Sequence, residues 1–238
     1  MYFKEKQQQE KELKFVCLSD THTKHPNILE KGDVLIHCGD FTNGGDYRDV
    51  KCFNQWLDKQ TGFKYKIIIA GNHDLCFDPL RFPQHYQDQK AQRQMNYLKN
   101  NFIYLENSEV DIEGYKIWGS PHSLEYWNGS FQITPYQAKN IWDRINDNTD
   151  IVLTHGPPFG HGDMAQSEVN RNVGDEYLFQ RIKQIKPKYH IFGHIHEGYG
   201  QSQEDGITFI NCAYLKKNYS VGNKPITFTL PKKEQIYK

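Results

Sequence analysis

The sequence lacks an excess of either charge and has no long apolar run. Its 29 Lys and Arg residues balance its 29 Asp and Glu residues, so the formal net charge is zero. A protein that grips nucleic acid along the backbone carries a basic excess, and we therefore expect no bulk nucleic acid partner. No segment approaches the roughly 18 apolar residues that a transmembrane helix needs, and none follows the charged, Gln-rich start. We expect neither a membrane partner nor a signal peptide.

Cysteine is scarce as well. The five cysteines are odd in number and show no Cys-x-x-Cys spacing, which argues against a disulfide framework and against a cysteine-rich zinc motif. Cys17 and Cys38 fall within apolar runs, where we expect buried free thiols. These features predict a reducing, cytoplasmic environment.

The length and the aromatic content predict one globular domain. A chain of 238 residues can form one sizeable core, and an aromatic content of 14% argues against disorder. The only low-complexity stretch is the Gln-rich beginning. We predict a polar tail over residues 1–12 and a single domain over residues 13–238, with the oligomeric state left open.

Five short apolar runs predict strands that are buried on both faces. They lie at residues 15–18, 34–36, 67–70, 151–153 and 191–192, and each is continuous rather than alternating. Helical spacing appears at residues 50–57, after the Thr134-Pro135 pair, and after Asp175, where Pro187 ends the segment. Alternating residues at 110–117 and later apolar stretches at 207–210 and 226–228 predict further strands. The order of these elements predicts a layered α/β domain with mixed sheets flanked by helices.

Ligand-type side chains follow every one of the five apolar runs. In chain order they are Asp20 and His22, then Asp40, then Asn72 with His73 and Asp74, then His155, and finally His194 with His196. The carboxyl ends of strands form the binding crevice of open α/β sheets, so five such ends side by side would gather these groups in one pocket. Residues two apart in an extended segment point the same way, which would direct the Asp-x-His and His-x-His pairs into one cavity.

The mixture of imidazoles and carboxylates points to divalent transition metals. Neutral imidazole together with carboxylate suits Mn, Fe, Co, Ni or Zn, whereas an all-oxygen set would suit Mg or Ca. No thiolate is required, so a structural zinc site is not expected. The sequence therefore predicts a transition-metal centre at the strand ends.

These blocks resemble those of the calcineurin-like metallophosphoesterases in order and in spacing. The matching motifs are Asp20-x-His22, Gly39-Asp40, Gly71-Asn72-His73-Asp74, Thr154-His155-Gly156 and Gly193-His194-x-His196, and they span about residues 13–215. Longer stretches at residues 39–42, 154–158 and 193–200 resemble the metallophosphoesterase domain-containing subgroup. The resemblance implies the metallo-dependent phosphatase fold, a β-sandwich of mixed sheets flanked by helices. It also implies metal-dependent hydrolysis of small phosphodiesters, 3′,5′-cyclic nucleotides among them.

The resemblance also implies a role for each matching residue. Asp20, His22 and His196 would hold one metal ion, and Asn72, His155 and His194 would hold the other. Asp40 would bridge the two divalent ions, for which manganese is favoured, and a hydroxide shared between such ions can act as the nucleophile. His73 would face the phosphate as a catalytic residue, with Asp74 or another group orienting its ring.

Two alternatives to a phosphodiesterase stay open at this point. Family members that hydrolyse phosphoproteins carry arginines in the Gly-Asp and Gly-Asn-His blocks, where this chain has residues 41–43 and Ala70. Arg48 or Arg171 could still reach the site, so a phosphomonoesterase or protein phosphatase is the second hypothesis. A non-catalytic nucleotide- or protein-binding scaffold is the third, although the chain retains all seven predicted ligands.

Several other residues have both a structural and a functional interpretation. Asn43, His161 and Asp163 are predicted substrate contacts, although each could instead shape a turn, and His122 is left undecided between the two. The remaining histidines are expected to be structural: His37 and His190 in the core, and His25 and His85 in surface loops. The tryptophans Trp56 and Trp142 are expected to serve packing. Packing is also favoured for Trp118 and Trp127, although one of these two could stack on a base.

Overall fold

The computed structural model describes residues 12–166 and 171–233. Its strands are β1 Glu12–Leu18, β2 Val34–Cys38, β3 Tyr65–Ile69, β4 Ile103–Tyr104, β5 Ser108–Ile112, β6 Tyr115–Ser120, β7 Ser123–Leu124, β8 Gln132–Ile133, β9 Ile151–Thr154, β10 Met164–Ala165, β11 Arg171–Asn172, β12 Tyr189–Phe192, β13 Gly200–Glu204, β14 Ile207–Asn211 and β15 Ile226–Pro231. The helices are α1 Tyr47–Lys59, α2 Pro83–Tyr86, α3 Gln89–Asn101, α4 Pro135–Trp142 and α5 Glu176–Ile185.

Two mixed sheets form the centre of the domain. The first has the strand order β15-β1-β2-β3-β4, in which only β15 runs antiparallel to its neighbour. The second has the order β13-β14-β12-β9-β6-β5, with the antiparallel strands β13 and β5 at its edges. These sheets, with helices outside them, confirm the predicted layered α/β fold.

Alternate residues of each central strand pack in opposite directions. In β1, Phe15 and Cys17 belong to a core cluster that also contains Ile151 and Leu153 of the second sheet. Their neighbour Val16 instead packs in a cluster with residues of α1 and α3. In the second sheet, Val152 packs in a third cluster with residues of α4 and α5. Both faces of the strands are therefore covered, which explains why their sequences are continuously apolar.

The five predicted buried runs are all strands, but they do not lie side by side in one sheet. Three of them are β1, β2 and β3 of the first sheet, and the other two are β9 and β12 of the second. A strand buried on both faces has the same apolar pattern in either sheet, so its sequence does not reveal which sheet it joins. The pocket therefore lies where the strand ends of two sheets meet, which corrects the single-sheet expectation.

The predicted starts of α4 and α5 are confirmed by their caps, and α1 begins at a cap that was not predicted. The Asp46 carboxylate accepts hydrogen bonds from backbone N–H groups at the start of α1, and that of Asp175 does so at the start of α5. Thr134 and Gln137 form a reciprocal capping box at the start of α4. Each cap satisfies N–H groups that have no partner within the helix.

The helix α3 was missed by the sequence analysis. Only Ala91, Met95 and Leu98 are buried on it, so its apolar stripe is narrow and the stretch has the composition of a polar loop.

At the amino end, β1 begins at Glu12, one residue before the predicted domain boundary. The predicted tail otherwise lies outside the described residues. Within residues 12–166 and 171–233, no helix has the length and apolar character needed to cross a lipid bilayer.

Candidate metal centre

Four of the seven predicted ligands adopt a left-handed backbone conformation on the loops that follow the strands. The backbone φ angles are 52° at Asp20, 39° at His22, 53° at Asp40 and 67° at His194. Non-glycine residues with positive φ are uncommon, and they concentrate at functional sites where surrounding contacts hold the strain. The Asp-x-His pair therefore converges through sharp turns rather than through the alternation of an extended strand, which corrects the geometry expected from its spacing.

Backbone hydrogen bonds hold these loops against one another. Asp20 N donates to the Gly39 carbonyl at 2.9 Å, and His22 N donates to the Asp40 carbonyl at 3.0 Å. The Asp20 carboxylate accepts a hydrogen bond from His194 N at 2.9 Å, which joins the loops of the two sheets. A Cβ atom on Gly193 would overlap this carboxylate, so only glycine allows the two loops to approach so closely.

The loops gather the predicted ligands into a cluster around Asp40. Ligand atoms of Asp20, His22 and His196 lie within 4.8 Å of one another, and so do those of Asp40, His155 and His194. The predicted asparagine ligand joins the second group, because Asn72 Oδ1 lies 2.8 Å from His155 Nε2. Asp40 Oδ2 faces both groups, at 3.4 Å from His155 Nε2 and 3.7 Å from His22 Nε2. The structure thus brings together all seven residues.

Backbone carbonyl groups orient two of the imidazole rings. His155 Nδ1 lies 2.9 Å from the Cys38 carbonyl, and His196 Nδ1 lies 3.1 Å from the Lys216 carbonyl. Because a carbonyl only accepts, the Nδ1 atoms carry the protons of these bonds. The Nε2 atoms therefore face the carboxylates, and this is the arrangement typical of metal-binding histidine.

Buried polar atoms without partners show that the cluster suits a cation. Among the described residues, Asp20 Oδ1 and both ring nitrogens of His22 have no hydrogen-bond partner, although both residues are buried. Such atoms are rare in folded proteins and call for a ligand or an ion. The donor set of carboxylate, imidazole and amide oxygen fits a divalent transition metal.

The charges within the cluster are strongly coupled. Burial alone would lower the pKa of His155, but the adjacent Asp40 carboxylate raises this pKa to about 9. Burial also opposes protonation of His196, and Asp20 raises the pKa of His196 to about 9. His22 and His194 lack so close a partner, and burial lowers the pKa of each to about 4. A metal ion that binds His155 or His196 must therefore displace a proton.

His73 lies at the edge of the cluster and is only partly buried. Its ring stands edge-on to that of His22, with 4.7 Å between the ring centroids. The group that holds the ring is the Asn43 carbonyl, 2.9 Å from His73 Nδ1, rather than the predicted Asp74. His73 also lies with His22 and Asp40 in a group whose ligand atoms are within 4.8 Å of one another. Its position thus suits a catalytic role beside the metals and also permits ligation.

Asp74 holds the backbone of the metal loops. One carboxylate oxygen accepts hydrogen bonds from Asp40 N at 2.9 Å and Gly71 N at 2.8 Å. The other oxygen accepts from Thr42 N at 2.9 Å and Thr42 Oγ1 at 2.8 Å. Burial and the nearby Asp40 carboxylate raise the pKa of Asp74 to about 7. The side chain therefore positions Asp40 and does not reach the His73 ring, contrary to the catalytic role expected for it.

We expect Asp74→Asn to destabilise the protein by about 2–4 kcal/mol, because an amide nitrogen would face buried donors at either oxygen position. The affinity for Mn²⁺ should fall roughly 10- to 100-fold as the Asp40 loop shifts. Urea unfolding and calorimetric Mn²⁺ titration measure the two effects. Asp150→Asn is the control: its carboxylate accepts from Lys116 N at the opposite strand ends, so Mn²⁺ affinity should not change. Unchanged metal affinity in Asp74→Asn would show that Asp74 does not position Asp40.

A cleft of about 1020 Å³ opens beside the cluster. Asp40, Asn72, His73, His194 and His196 face into it, and so does Asn43, one of the predicted substrate contacts. His122 also lines the cleft, with its Nδ1 atom 2.8 Å from the Phe131 carbonyl. The cleft is thus continuous with the cluster and can hold a small ester.

His161 and Asp163 do not line this cleft, so the structure does not support their predicted contact with the substrate. The His161 ring stacks on Phe209 with 3.8 Å between centroids, and its Nδ1 atom lies 2.8 Å from Ser202 Oγ. The Asp163 carboxylate accepts from Gly160 N and Gly174 N, at 3.0 Å and 2.9 Å, and thereby shapes its own loop. Partners that are distant in sequence hold His161 away from the cleft, whereas Asp163 is held by its own loop.

The histidines expected in the core lie there. His37 is buried with its Nε2 atom 3.0 Å from Thr21 Oγ1, and His190 is buried with its Nε2 atom 2.9 Å from Thr154 Oγ1. His25 is half-buried and stacks on Trp56, with 5.3 Å between centroids, which corrects its expected surface position.

Tyr219 was not identified from the sequence. Its ring lies 4.9 Å from that of His22 and 5.1 Å from that of His196, measured between centroids, and it lines the cleft. A φ of 58° is rare for a bulky residue and marks a strained turn above the cluster. Tyr219 lies outside the five motif blocks, so no spacing in the sequence pointed to it.

Comparison with known proteins shows relatives along most of the chain. Residues 13–198 match the family model described as calcineurin-like phosphoesterase. The metallophosphoesterase domain-containing protein 1 of Homo sapiens is 38% identical over 238 residues, which cover 92% of this chain and 71% of that protein. The protein of the same name from Mus musculus matches at the same identity and coverage.

Solved structures share the fold at low sequence identity. The phosphopantetheinyl hydrolase of Mycobacterium tuberculosis has a TM-score of 0.55 at 13% identity, covering 86% of this chain and 90% of that one. A putative 5′-nucleotidase of Staphylococcus aureus has a TM-score of 0.50 at 11% identity, covering 95% of this chain and 56% of that one. At such identities the likeness shows the fold alone.

Proposed function

The chain belongs to the calcineurin-like phosphoesterase family, and on that basis we propose that it is a binuclear, metal-dependent phosphodiesterase acting on a small phosphodiester. A 3′,5′-cyclic nucleotide is one substrate of this class. The observation that supports the proposal most is the pair of ligand groups that face Asp40 at the edge of an open cleft.

Each ligand group would hold one divalent ion, and manganese is the ion we favour. Asp20, His22 and His196 would bind the first, while Asn72, His155 and His194 would bind the second, with Asp40 shared between them. Two such ions activate a water molecule and neutralise phosphate oxygens when they are bound.

The chain's own residues would then place and polarise the ester. His73 stands beside the cluster at the mouth of the cleft, where its ring could donate a proton to the leaving oxygen. The Asn43 carbonyl fixes the Nδ1 side of the ring, so Nε2 is the atom left to face the ester. Asp74 would keep the Asp40 loop in place throughout.

The charge of the site favours a diester over a monoester. Two divalent ions and one hydroxide nucleophile beside two carboxylates, Asp20 and Asp40, would leave a net charge of about +1, which a monoanion neutralises. Arg48 does not line the cleft, and its side chain instead contacts Tyr47 Oη. Arg171 does line the cleft, and this observation supports phosphomonoesterase activity as the second candidate.

The free thiols support a reducing location, which we propose to be the cytoplasm. Cys17, Cys38, Cys76 and Cys212 are buried and unpaired, and Cys52 is exposed and unpaired. Proteins of oxidising compartments more often pair such residues.

Parallel assays with bis(p-nitrophenyl) phosphate and p-nitrophenyl phosphate test the proposal. The metal-stripped protein should be inactive, and added Mn²⁺ should restore hydrolysis of the diester with a kcat/KM at least about tenfold above that of the monoester, a difference of ~1.4 kcal/mol in activation free energy. Co²⁺, Ni²⁺ and Mg²⁺ are tested in separate additions. Faster hydrolysis of the monoester would favour the phosphomonoesterase, and hydrolysis of neither ester with any metal would favour a binding scaffold.

A further inference from the structure

Two aromatic side chains that line the cleft are exposed to water, although the sequence favoured a packing role for Trp127. Trp127 is 78% exposed and Tyr126 is 77% exposed, and both line the cleft. The other tryptophans, Trp56, Trp118 and Trp142, are buried as expected. Large aromatic side chains left open to water beside a concave site typically bind a partner or ligand.

The loop that carries these two rings is fastened to the metal centre. Ser130 N donates to the Asn72 carbonyl at 2.9 Å, and Phe131 N donates to the Asp78 carboxylate at 2.9 Å. A Cβ atom on Gly129 would lie 2.8 Å from Asn72 Cβ, so the loop backbone packs directly against this predicted ligand.

The contacts of Gly129 and Ser130 with Asn72 limit how far the Trp127 backbone can lie from the metal centre. Two residues of chain span at most ~7 Å, so the Trp127 backbone lies within that distance of Gly129. A hydrogen bond from Gly129 N to the Trp127 carbonyl at 2.9 Å tightens the turn further. The Trp127 backbone therefore lies near the loop residue that packs on Asn72, and its side chain lines the same cleft as the cluster.

Apolar side chains from another segment also line the cleft. Pro157, Phe159 and Val173 do so, and Phe159 is 36% exposed. An aromatic ring that stacks on Trp127 would lie in the same cleft as these side chains. Aliphatic groups of equal size lack the flat face on which an indole stacks.

We propose that Trp127 selects a phosphodiester in which one substituent carries a planar aromatic ring, by stacking on that ring. This inference rests on the proposed function and names the chemical class of its substrate. The stacking contact is made away from the reacting atoms, so Trp127 is a specificity-determining residue rather than a catalytic one.

Two phosphonate monoesters of equal size test the proposal. Phenyl methylphosphonate and cyclohexyl methylphosphonate are both monoanions, and only the first carries a flat ring. Calorimetric titration of the Mn²⁺-loaded protein should show that the phenyl compound binds about tenfold more tightly, which is the lower range of single-ring stacking. Trp127→Ala should abolish this preference, and Trp127→Phe should retain most of it.

Tyr136→Ala is the matched control, because Tyr136 is 88% exposed on α4 and does not line the cleft. The Tyr136→Ala variant should prefer the phenyl compound over the cyclohexyl compound to the same extent as the wild type. Equal binding of the two compounds by the wild type, or an unchanged preference in Trp127→Ala, would overturn the inference.

Hydrolysis of bis(p-nitrophenyl) phosphate by the wild type separates this inference from the proposed function. Diester hydrolysis without a Trp127-dependent preference overturns the inference and leaves the proposed function standing. The second outcome is a Trp127-dependent preference for the phenyl compound in a protein that hydrolyses no phosphodiester. This result would support an aromatic binding site and overturn the proposed enzymatic function.

Discussion

Replacement of Asp40 by alanine is expected to empty both metal sites and to abolish hydrolysis. Asp40 Oδ2 lies 3.4 Å from His155 Nε2 and 3.7 Å from His22 Nε2, so it belongs to the ligand sets of both proposed ions. Loss of the shared carboxylate should lower kcat/KM by at least about 1000-fold, or ~4 kcal/mol in activation free energy. Inductively coupled plasma mass spectrometry of the dialysed protein measures the metal content.

The shared position of Asp40 gives this variant a distinctive pattern. His22→Ala and His194→Ala each change a residue of one ligand set only, so each should retain about one ion per chain. The Asp40→Asn variant keeps the shape of the side chain and removes only its charge. Circular dichroism of both variants shows whether the fold is retained, so that loss of charge and loss of fold can be distinguished. Two tightly held ions per chain in Asp40→Ala would contradict the bridging role.

Replacement of His73 by alanine is expected to remove turnover while both ions stay bound. General acid catalysis by one positioned side chain contributes roughly 100- to 10,000-fold, and kcat for a diester with an alkyl leaving group should fall by that factor. The ring is held by the Asn43 carbonyl and is only partly buried, so its removal should leave the fold intact.

The metal content of His73→Ala decides between two roles. Because His73 lies close to ligand atoms of His22 and Asp40, the geometry also permits coordination. Loss of one ion on replacement would identify His73 as a ligand and reject its role as a proton donor. His122→Ala is a matched control, since His122 lines the same cleft without belonging to the ligand groups, and its metal content should not change.

Substrates with different leaving groups refine the test of His73. An alcohol with a high pKa requires protonation as it leaves, whereas p-nitrophenolate does not. The His73→Ala defect should therefore be larger for an alkyl diester than for an aryl diester. Equal defects for the two would show that His73 stabilises charge without donating a proton.

Local sequence patterns were sufficient to predict the central strands, the starts of two helices and the gathering of candidate metal ligands at the strand ends. Continuous apolar runs predicted β1, β2, β3, β9 and β12, and Asp or Thr caps predicted the starts of α4 and α5. The seven predicted ligands converge because each follows a strand end, and this information is local to each motif. The helix α3 was missed for the same reason, since its three buried residues form too weak a pattern.

Contacts between distant segments decided the remaining features of the site. The sequence by itself indicated which residues could act as ligands, but their convergence required two sheets to meet and the loops to adopt left-handed backbone angles at Asp20 and Asp40. The direction of a loop side chain depends on partners far along the chain: His161 turns away to stack on Phe209, while Trp127 stays in the cleft because its loop is anchored on Asn72. A residue type and its spacing carry no information about such partners. The sequence was therefore sufficient to predict the residue types of the candidate metal centre. The shape of the cleft beside it depends on tertiary contacts between distant segments.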